Sequence, residues 1–382
     1  MKVKKVLTLI LSLSFLLSTV VFAASPTDNG DNIEQIVSIV TKIPQEEFGG
    51  IYIDENGEIV VNLTQDTSTR RSATISTMLP ATVKIERVKY SLYELEAMKT
   101  ALEPYMLEYN IATLDANEVT NTVDVQLSEN NESIFNLIDS LKVIDPSVVN
   151  VTVMDSDVHL SLTVADTPPE NYPEEFAAMY NRGESSKLSV LDVTIYPGMV
   201  IAFHNISIGY GTAGPRSTST AFYSAGHCID GFNYEPDVYD STDSRQIGQV
   251  ISREFGSSGD RCLIRTTKYG KLPSENKFIL GSGRYTISSM GIVGTAVEMW
   301  GGYSGITSGS VIATNQTVTV SGTTVKGLTY ASYTCEHGDS GAGIFSANAS
   351  SDTSAKCYGI QSIGVFQGSS PVSIASYFSP IQ

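Results

Sequence analysis

Three short runs carry residue types that together could perform nucleophilic catalysis. Ser340 lies in Cys335-Glu336-His337-Gly338-Asp339-Ser340-Gly341-Ala342-Gly343, among small residues that let backbone N–H groups approach a reacting atom closely. A serine hydroxyl does not ionise near neutral pH. It attacks only where a base takes its proton and amide donors hold the charge developing on the attacked oxygen. His227, in Ser224-Ala225-Gly226-His227-Cys228, supplies an imidazole for that base. Asp260, in Ser257-Ser258-Gly259-Asp260-Arg261-Cys262, supplies a carboxylate to fix the imidazole tautomer and stabilise its protonated form. The N–H groups of Gly338 and Ser340 are the expected oxyanion donors. By itself the Gly-Asp-Ser-Gly run also fits an ordinary turn. The two upstream runs, each at the end of a strand-like stretch, favour catalysis. Asp339 is too near the nucleophile in sequence to reach behind an imidazole, and His337 lacks a strand-turn context, which leaves it a surface or specificity role. His159 and His204 read as surface residues.

The elements that must hold these groups fall into two compositions. Of 31 glycines, 26 lie in residues 188–382. The charge divides the other way. Residues 25–187 hold 28 acidic and 10 basic residues (net −18), residues 188–382 hold 13 and 11 (net −2), and three lysines before residue 25 restore the total of −17. Neither half is basic, which speaks against a nucleic-acid reader. Met1 to Lys5 carries the three lysines, Val6 to Phe22 is almost wholly apolar, and Ala23-Ala24 precedes a polar Ser25-Pro26-Thr27-Asp28. That pattern is a secretory signal peptide over 1–24 and implies a secreted, extracellular product. No later stretch approaches the ~20 apolar residues of a membrane span, so no membrane association is expected once the signal is removed.

In the acidic half the pattern is α/β. Residues 31–45 are amphipathic. The segments 50–53 and 58–63 flank an Asp54-Glu55-Asn56-Gly57 turn, a hairpin signature. Residues 64–81 read as a loop rich in threonine, serine and arginine. Ser91 and Glu94 form a capping box before Leu92, Leu95, Met98, Leu102 and Met106. A strand over 119–127, a helix over 132–141 and a strand over 148–154 follow. A short helix is expected over 174–182, and 183–187 reads as an exposed linker. From Leu188 onward the chain breaks into many short strands between glycine, serine and threonine turns, which predicts an antiparallel barrel or sandwich. All four cysteines, Cys228, Cys262, Cys335 and Cys357, lie there. An even count in a secreted chain suggests up to two disulfides, with three connectivities open. Their spacing does not suggest a zinc site, and no metal or cofactor is expected.

Ser-Ala-Gly-His-Cys, Gly-Asp-Arg and Gly-Asp-Ser-Gly, in this order, resemble the catalytic motifs of the chymotrypsin-fold serine peptidases, in particular the bacterial alpha-lytic protease and streptogrisin group. The resemblance extends to Val293-Gly294-Thr295-Ala296-Val297 and Gly309-Ser310-Val311, and to a pro-region at Gly49 to Ile53 and Val88 to Leu92. It implies an all-β catalytic domain of two antiparallel six-stranded β-barrels over 188–382, preceded by an α/β pro-domain over 25–187. Gln361-Ser362-Ile363-Gly364 resembles the group's substrate-binding strand, in which the serine supports the aspartate and the backbone pairs with an extended peptide. Glu336, Gln361 and Gly364 are expected to edge the specificity pocket, favouring a polar or basic side chain.

Some positions depart from the group's pattern. Glu298 and Ser308 stand where a disulfide is usual, Met299 stands where an arginine partners the aspartate before the nucleophile, and no cysteine precedes Cys228. Cys228 with Cys262 and Cys335 with Cys357 is the working pairing.

The function so implied is that of a secreted serine endopeptidase acting on protein or peptide substrates through an acyl-enzyme. It would be made as a monomeric zymogen whose pro-region is intramolecular chaperone and inhibitor. Because glycine loses the most entropy on folding and non-local β-pairing is slow, the glycine-rich half has a physical need for such assistance. Self-cleavage is expected between Gly183 and Leu191. A catalytically silent binding homologue and an esterase with the same triad are the rival readings.

Overall fold

The computed structural model describes residues 30–176, 192–203, 209–230, 236–242, 245–267, 269–278, 283–288, 291–349, 352 and 354–381. The expected signal, the linker and junction at 183–191 and His204 lie outside the described residues, as does most of the expected helix over 174–182.

Two small α/β layers build the acidic half. Helix α1 (Gly30–Val40) turns Ile36 and Val40 onto Val61 and Leu63 of a hairpin. The hairpin joins β1 (Phe48–Ile53) to β2 (Ile59–Thr64) through the expected turn. There the Asp54 carboxylate accepts the N–H groups of Asn56 and Glu58 at 2.9 Å each, and Gly57 takes φ +80°. Residues expected as loop form helix α2 (Thr69–Met78) instead. The Ser68 hydroxyl caps it at Arg71 N, and Ile75 anchors it in the core, which overrides a composition poor in strong helix formers. Strand β3 (Lys84–Val88) then lies parallel to β2.

The capping box of Ser91 and Glu94 opens α3 (Leu92–Leu102) as expected. It is followed by β4 (Ile111–Asn117), β5 (Thr122–Leu127), α4 (Ser133–Ser140) and β6 (Val149–Val153), with β5 and β6 parallel across α4. Leu95, Leu102, Leu114, Val125 and Ile134 close this layer's core. Strand β7 (Val158–Leu162) pairs with a strand of the following, glycine-rich half.

Among the described residues the glycine-rich half begins with β8 (Val193–Thr194). Its first barrel uses β9 (Val200–Phe203), β10 (Gly209–Thr212), β11 (Arg216–Thr218), β12 (Ala221–Ser224), β13 (Asp237–Asp240), β14 (Gln246–Gly256) and β15 (Gly259–Thr266). The order is β10-β9-β13-β14-β15-β12-β11. β10 and β11 are successive pieces of one bent stretch, held by Gly214 N to Tyr223 O at 2.8 Å and Tyr223 N to Pro215 O at 2.9 Å. The sheet therefore closes on itself as six strands.

After β16 (Gly270–Lys271) and β17 (Tyr285–Ile287), the second barrel uses β18 (Ala296–Gly301), β19 (Gly305–Val320), β20 (Thr323–Ala331), β21 (Gly343–Ser346), β22 (Ala355–Gln367) and β23 (Ala375–Pro380). The order β18-β21-β22-β23-β20-β19 returns through a β18–β19 pairing and closes antiparallel. Two closed antiparallel barrels after an α/β half is the expected fold class.

The halves join along two strand edges and also where Tyr52 bridges Val293, with the Ile53 N–H donating to the Val293 carbonyl at 2.8 Å, and where Glu34 pairs with Lys356 at 2.9 Å. β4 pairs with β19, Leu114 opposite Thr317 and Thr113 opposite Val318, and β7 pairs with β22. Phe176 also reaches the catalytic core, where it is fully buried with its ring centroid 5.8 Å from that of Trp300.

The expected disulfides are not formed. Cys228, Cys262, Cys335 and Cys357 are free, buried thiols. Cys335 sits in the core cluster of Tyr333 and Phe378, whereas Cys357 sits in that of Trp300 and Phe345. The thiols act here as small apolar core groups, and burial pushes Cys335 up to about 12 and Cys262 higher still.

Candidate active site

His227 opens a single 3-10 turn directly after β12, and Asp260 is the second residue of β15. Gly226 makes their approach possible. A Cβ there would lie 2.1 Å from the Glu254 carbonyl oxygen and 2.8 Å from that of Arg261. The His227 N–H donates to Asp260 Oδ1 at 2.8 Å, while Nδ1 meets Asp260 Oδ2 at 2.6 Å. The ring's other nitrogen, Nε2, is 2.7 Å from Ser340 Oγ. Ser362 supports the carboxylate by donating its hydroxyl to Asp260 Oδ2, and Ser379 Oγ accepts the Asp260 N–H at 3.1 Å. Asp260 and Ser340 are fully buried and His227 nearly so.

Burial disfavours the charged form of each partner in this pair, but their attraction is stronger. The Asp260 carboxylate raises the imidazole above an ordinary histidine. Burial raises the Asp260 carboxyl, yet His227 and the donors around it outweigh that and hold it below the usual carboxylate range. The line carboxylate, imidazole, hydroxyl is thus assembled to move a proton off Ser340 Oγ.

Two N–H groups converge beside that hydroxyl. Gly338 N and Ser340 N point at one oxygen, the backbone carbonyl of Thr163, at 2.5 and 3.3 Å. Gly338 adopts φ +104°, and a Cβ on it would strike the Tyr303 ring at 2.2 Å, so glycine is required for this donor to face inward.

The loop is fixed from below by Asp339; Met299, expected at the place of an arginine partner, is a fully buried core residue. Tyr303 N at 2.9 Å and Ser304 N at 3.3 Å donate to Asp339 Oδ1. Glu336 N at 2.8 Å and the Ser304 hydroxyl donate to Oδ2. Burial raises this carboxyl, and these four donors oppose the rise. A ring of backbone and hydroxyl donors does here what a guanidinium would do.

The expected substrate-binding strand is occupied. Ile363 lies opposite Leu162, Gly364 opposite Ser161 and Val365 opposite Leu160, while the Ser362 carbonyl accepts from Thr163 Oγ1 at 3.0 Å. Gln361 departs from expectation. Its amide is spent inside the protein, accepting from Tyr333 OH at 2.5 Å and donating to Cys335 Sγ at 3.3 Å and the Ile363 carbonyl at 3.2 Å. It braces the strand and offers no group to a ligand. Glu336 is half-buried and its backbone bridges Val372. His337 stacks on Phe366 at 4.7 Å and 3°, and His159, expected as a plain surface residue, approaches the same ring at 5.8 Å and 22°.

Thr163 was missed by sequence reasoning. The one available signal was the alternation Val158, Leu160, Leu162 with polar residues between them, the pattern of a half-buried strand.

No protein-family profile matches the chain, and no curated protein sequence matches it. Among solved structures it is similar to a chymotrypsin from Cellulomonas bogoriensis, at 21% identity over 50% of this chain and 92% of that one, with a TM-score of 0.38. Protease A from Thermobifida fusca is 23% identical over 50% and 92%, TM-score 0.36. A Nocardiopsis protease is 24% identical over 49% and 92%, TM-score 0.37.

Proposed function

We propose that the chain is the precursor of a secreted serine endopeptidase. The single observation that carries this is the unbroken line from Asp260 Oδ2 through His227 to Ser340 Oγ, with contacts of 2.6 and 2.7 Å, beside two convergent N–H donors. Ser340 Oγ attacks a peptide carbonyl as His227 Nε2 takes its proton. Gly338 N–H and Ser340 N–H hold the tetrahedral oxyanion, a contribution of about 3 kcal/mol per donor. The imidazolium, stabilised by Asp260, returns the proton to the leaving amine. A water then repeats the sequence on the acyl-enzyme. The acidic half serves as folding assistant and inhibitor, a reading supported by β7 lying against β22 and by Thr163 filling the space beside Ser340.

Hydrolysis of an unstructured protein by the processed chain tests the proposal. Wild type is expected to cleave and Ser340→Ala to lose all but a residual activity. Cleavage of esters without amides would replace peptidase by esterase. Absence of both would leave a silent binding homologue. In addition, the catalytic half produced without the acidic half is expected to stay inactive until the acidic half is added in trans. Spontaneous refolding to full activity would remove the assistant role.

A further inference from the structure

Residues 158–165 cross the cleft in the posture of a substrate, touching both barrels. On one side, β7 runs antiparallel to β22 from Val158 opposite Gln367 to Leu162 opposite Ile363. At the centre, the Thr163 carbonyl oxygen receives the Gly338 and Ser340 N–H groups, and Thr163 Oγ1 lies 2.8 Å from Ser340 Oγ. On the far side, Ala165 makes a two-way antiparallel bridge to Tyr210 of β10, with Ala165 N to Tyr210 O at 3.2 Å and Tyr210 N to Ala165 O at 2.7 Å. One peptide bond follows the carbonyl held beside the nucleophile: Thr163–Val164.

Resting on the endopeptidase reading above, we propose that Thr163–Val164 is the first bond this site cuts, in its own chain. We further propose that the enzyme prefers a small, uncharged residue before the cut within an extended apolar segment. Ser340 Oγ bonds to the Thr163 carbonyl carbon and gives its proton to His227. The C–N bond then breaks, and His227 delivers that proton to Val164 N, which becomes a new amino terminus. Water hydrolyses the ester, leaving a carboxylate on Thr163 and restoring the Ser340 hydroxyl.

Two further observations bear on this choice. First, the chain after the bond belongs to the catalytic half. Tyr172 OH meets Ser241 Oγ at 3.2 Å, and Phe176 fills the space over Gly198, where a Cβ would come within 2.8 Å of its ring. A cut after residue 163 keeps this buried aromatic in the catalytic core, whereas a cut at 183–191 would detach it from that half.

Second, the room beside Gly364 is filled and neutral. A Cβ on Gly364 would lie 2.4 Å from Phe366 and 3.1 Å from Cys335 Sγ, and Cys335 is itself held by Gln361 Nε2 and Ser376 Oγ. Among the described residues no charged side chain is hydrogen-bonded into that network, and the half-buried Glu336 stays outside it. Leu160 and Leu162 pack against the cluster of Ile363 and Val365, which sets the apolar preference further from the cut.

The test uses the full chain. Wild type and Thr163→Ser are expected to yield a fragment whose first residue is Val164, identified by intact mass and terminal sequencing. Ser340→Ala is expected to stay joined at that bond, and Thr163→Trp to release the fragment about 10²-fold more slowly. A measurement independent of variant folding uses processed wild type on peptides Leu-Ser-Leu-X-Val-Ala. Threonine and alanine at X should exceed phenylalanine, lysine and glutamate by about 10²-fold in kcat/KM. A protein that reacts with a fluorophosphonate and hydrolyses peptides, yet starts elsewhere or prefers phenylalanine, lysine or glutamate, overturns this inference and leaves the peptidase reading standing. A chain that does neither, even after an added protease has removed its acidic half, overturns that reading and this inference with it.

Discussion

Two of the strand edges at which the acidic half meets the glycine-rich half differ in chemistry. At β4 and β19 the contact buries charge. Lys99, almost fully enclosed, pairs with Glu96 at 2.8 Å and donates to the Asn315 carbonyl. Glu103 takes the Thr317 hydroxyl at 2.8 Å and the Lys326 ammonium. Asp115 and Glu118 are buried nearby. At β7 and β22 the contact is neutral backbone pairing that ends on Ser340. The first edge holds through groups whose ionisation matters, and the second is built like something to be cut. Were the acidic half both inhibitor and substrate, as proposed, it would need both, because a strand lying in the cleft alone would be lost once its central bond was broken.

The largest effect expected on this contrast belongs to the cleft. Asp260→Asn should lower kcat by about 10⁴ by presenting the wrong imidazole tautomer, while leaving the binding of the two halves unchanged. Steady-state kinetics and a binding isotherm measured on the same variant would show whether the two edges are separable.

Next is Lys99→Met, which removes the ammonium that donates to the Asn315 carbonyl across the edge. It should cost about 2 kcal/mol, or roughly thirtyfold in the affinity of the acidic half for the processed enzyme, with kcat unaltered. Inhibition by the added acidic half measures it, and an unchanged inhibition constant would remove the clamp from the account.

The pH responses of the two edges should then differ. Burial raises Glu118 to about 7, and burial with the charges of Glu118 and Asp124 raises Asp115 well above an ordinary aspartate, although Lys99 opposes both. A carboxyl whose value is raised by burial where the halves meet favours the joined state below its exposed value, near 4.5 for glutamate. That contribution is lost as pH rises through about 7. The clamp should therefore loosen between pH 5 and 8.

The cleft moves the other way. His227 must be neutral to act, and Asp260 raises its value above 6.5, so kcat/KM should climb through a midpoint above that pH. Both trends favour release and activity as pH rises. A binding constant flat from pH 5 to 8 would contradict the first.

The smallest effect expected is that of His159→Ala, which removes one ring stacked over Phe366. A loss of about 0.5–1.5 kcal/mol in zymogen stability should follow.

The triad was legible because each member sits where a local pattern changes: His227 after a strand and a glycine turn, Asp260 at the head of an apolar strand, and Ser340 between glycines. The roles proposed for them follow from residue type and order. The capping box at Ser91 and the turn at Gly57 were legible for the same reason, since both are closed within a few residues.

What was hidden depends on partners far along the chain. β7 becomes a strand because β22 offers it an edge some 200 residues later. The neutralisation of Asp339 comes from backbone N–H groups at Tyr303 and Ser304, which no residue type announces. Helix α2 hid behind hydroxyl side chains, because its stability rests on Ser68 and on burying Ile75. The cysteines read as bridges by their number; Cys335 lies in a different core cluster from Cys357, and Cys228 and Cys262, though they share one, stay free thiols packed in it.

The central claim is that Ser340 is a nucleophile poised by His227 and Asp260 and covered by residues 158–165. The most direct measurement is the rate at which a fluorophosphonate labels Ser340 before and after the acidic half is removed, with the labelled residue located by peptide mapping. The account predicts slow labelling of the intact chain, rapid labelling of the processed one, and none in Ser340→Ala. Rapid labelling at a residue other than Ser340, or a processed chain that resists the reagent, would contradict it.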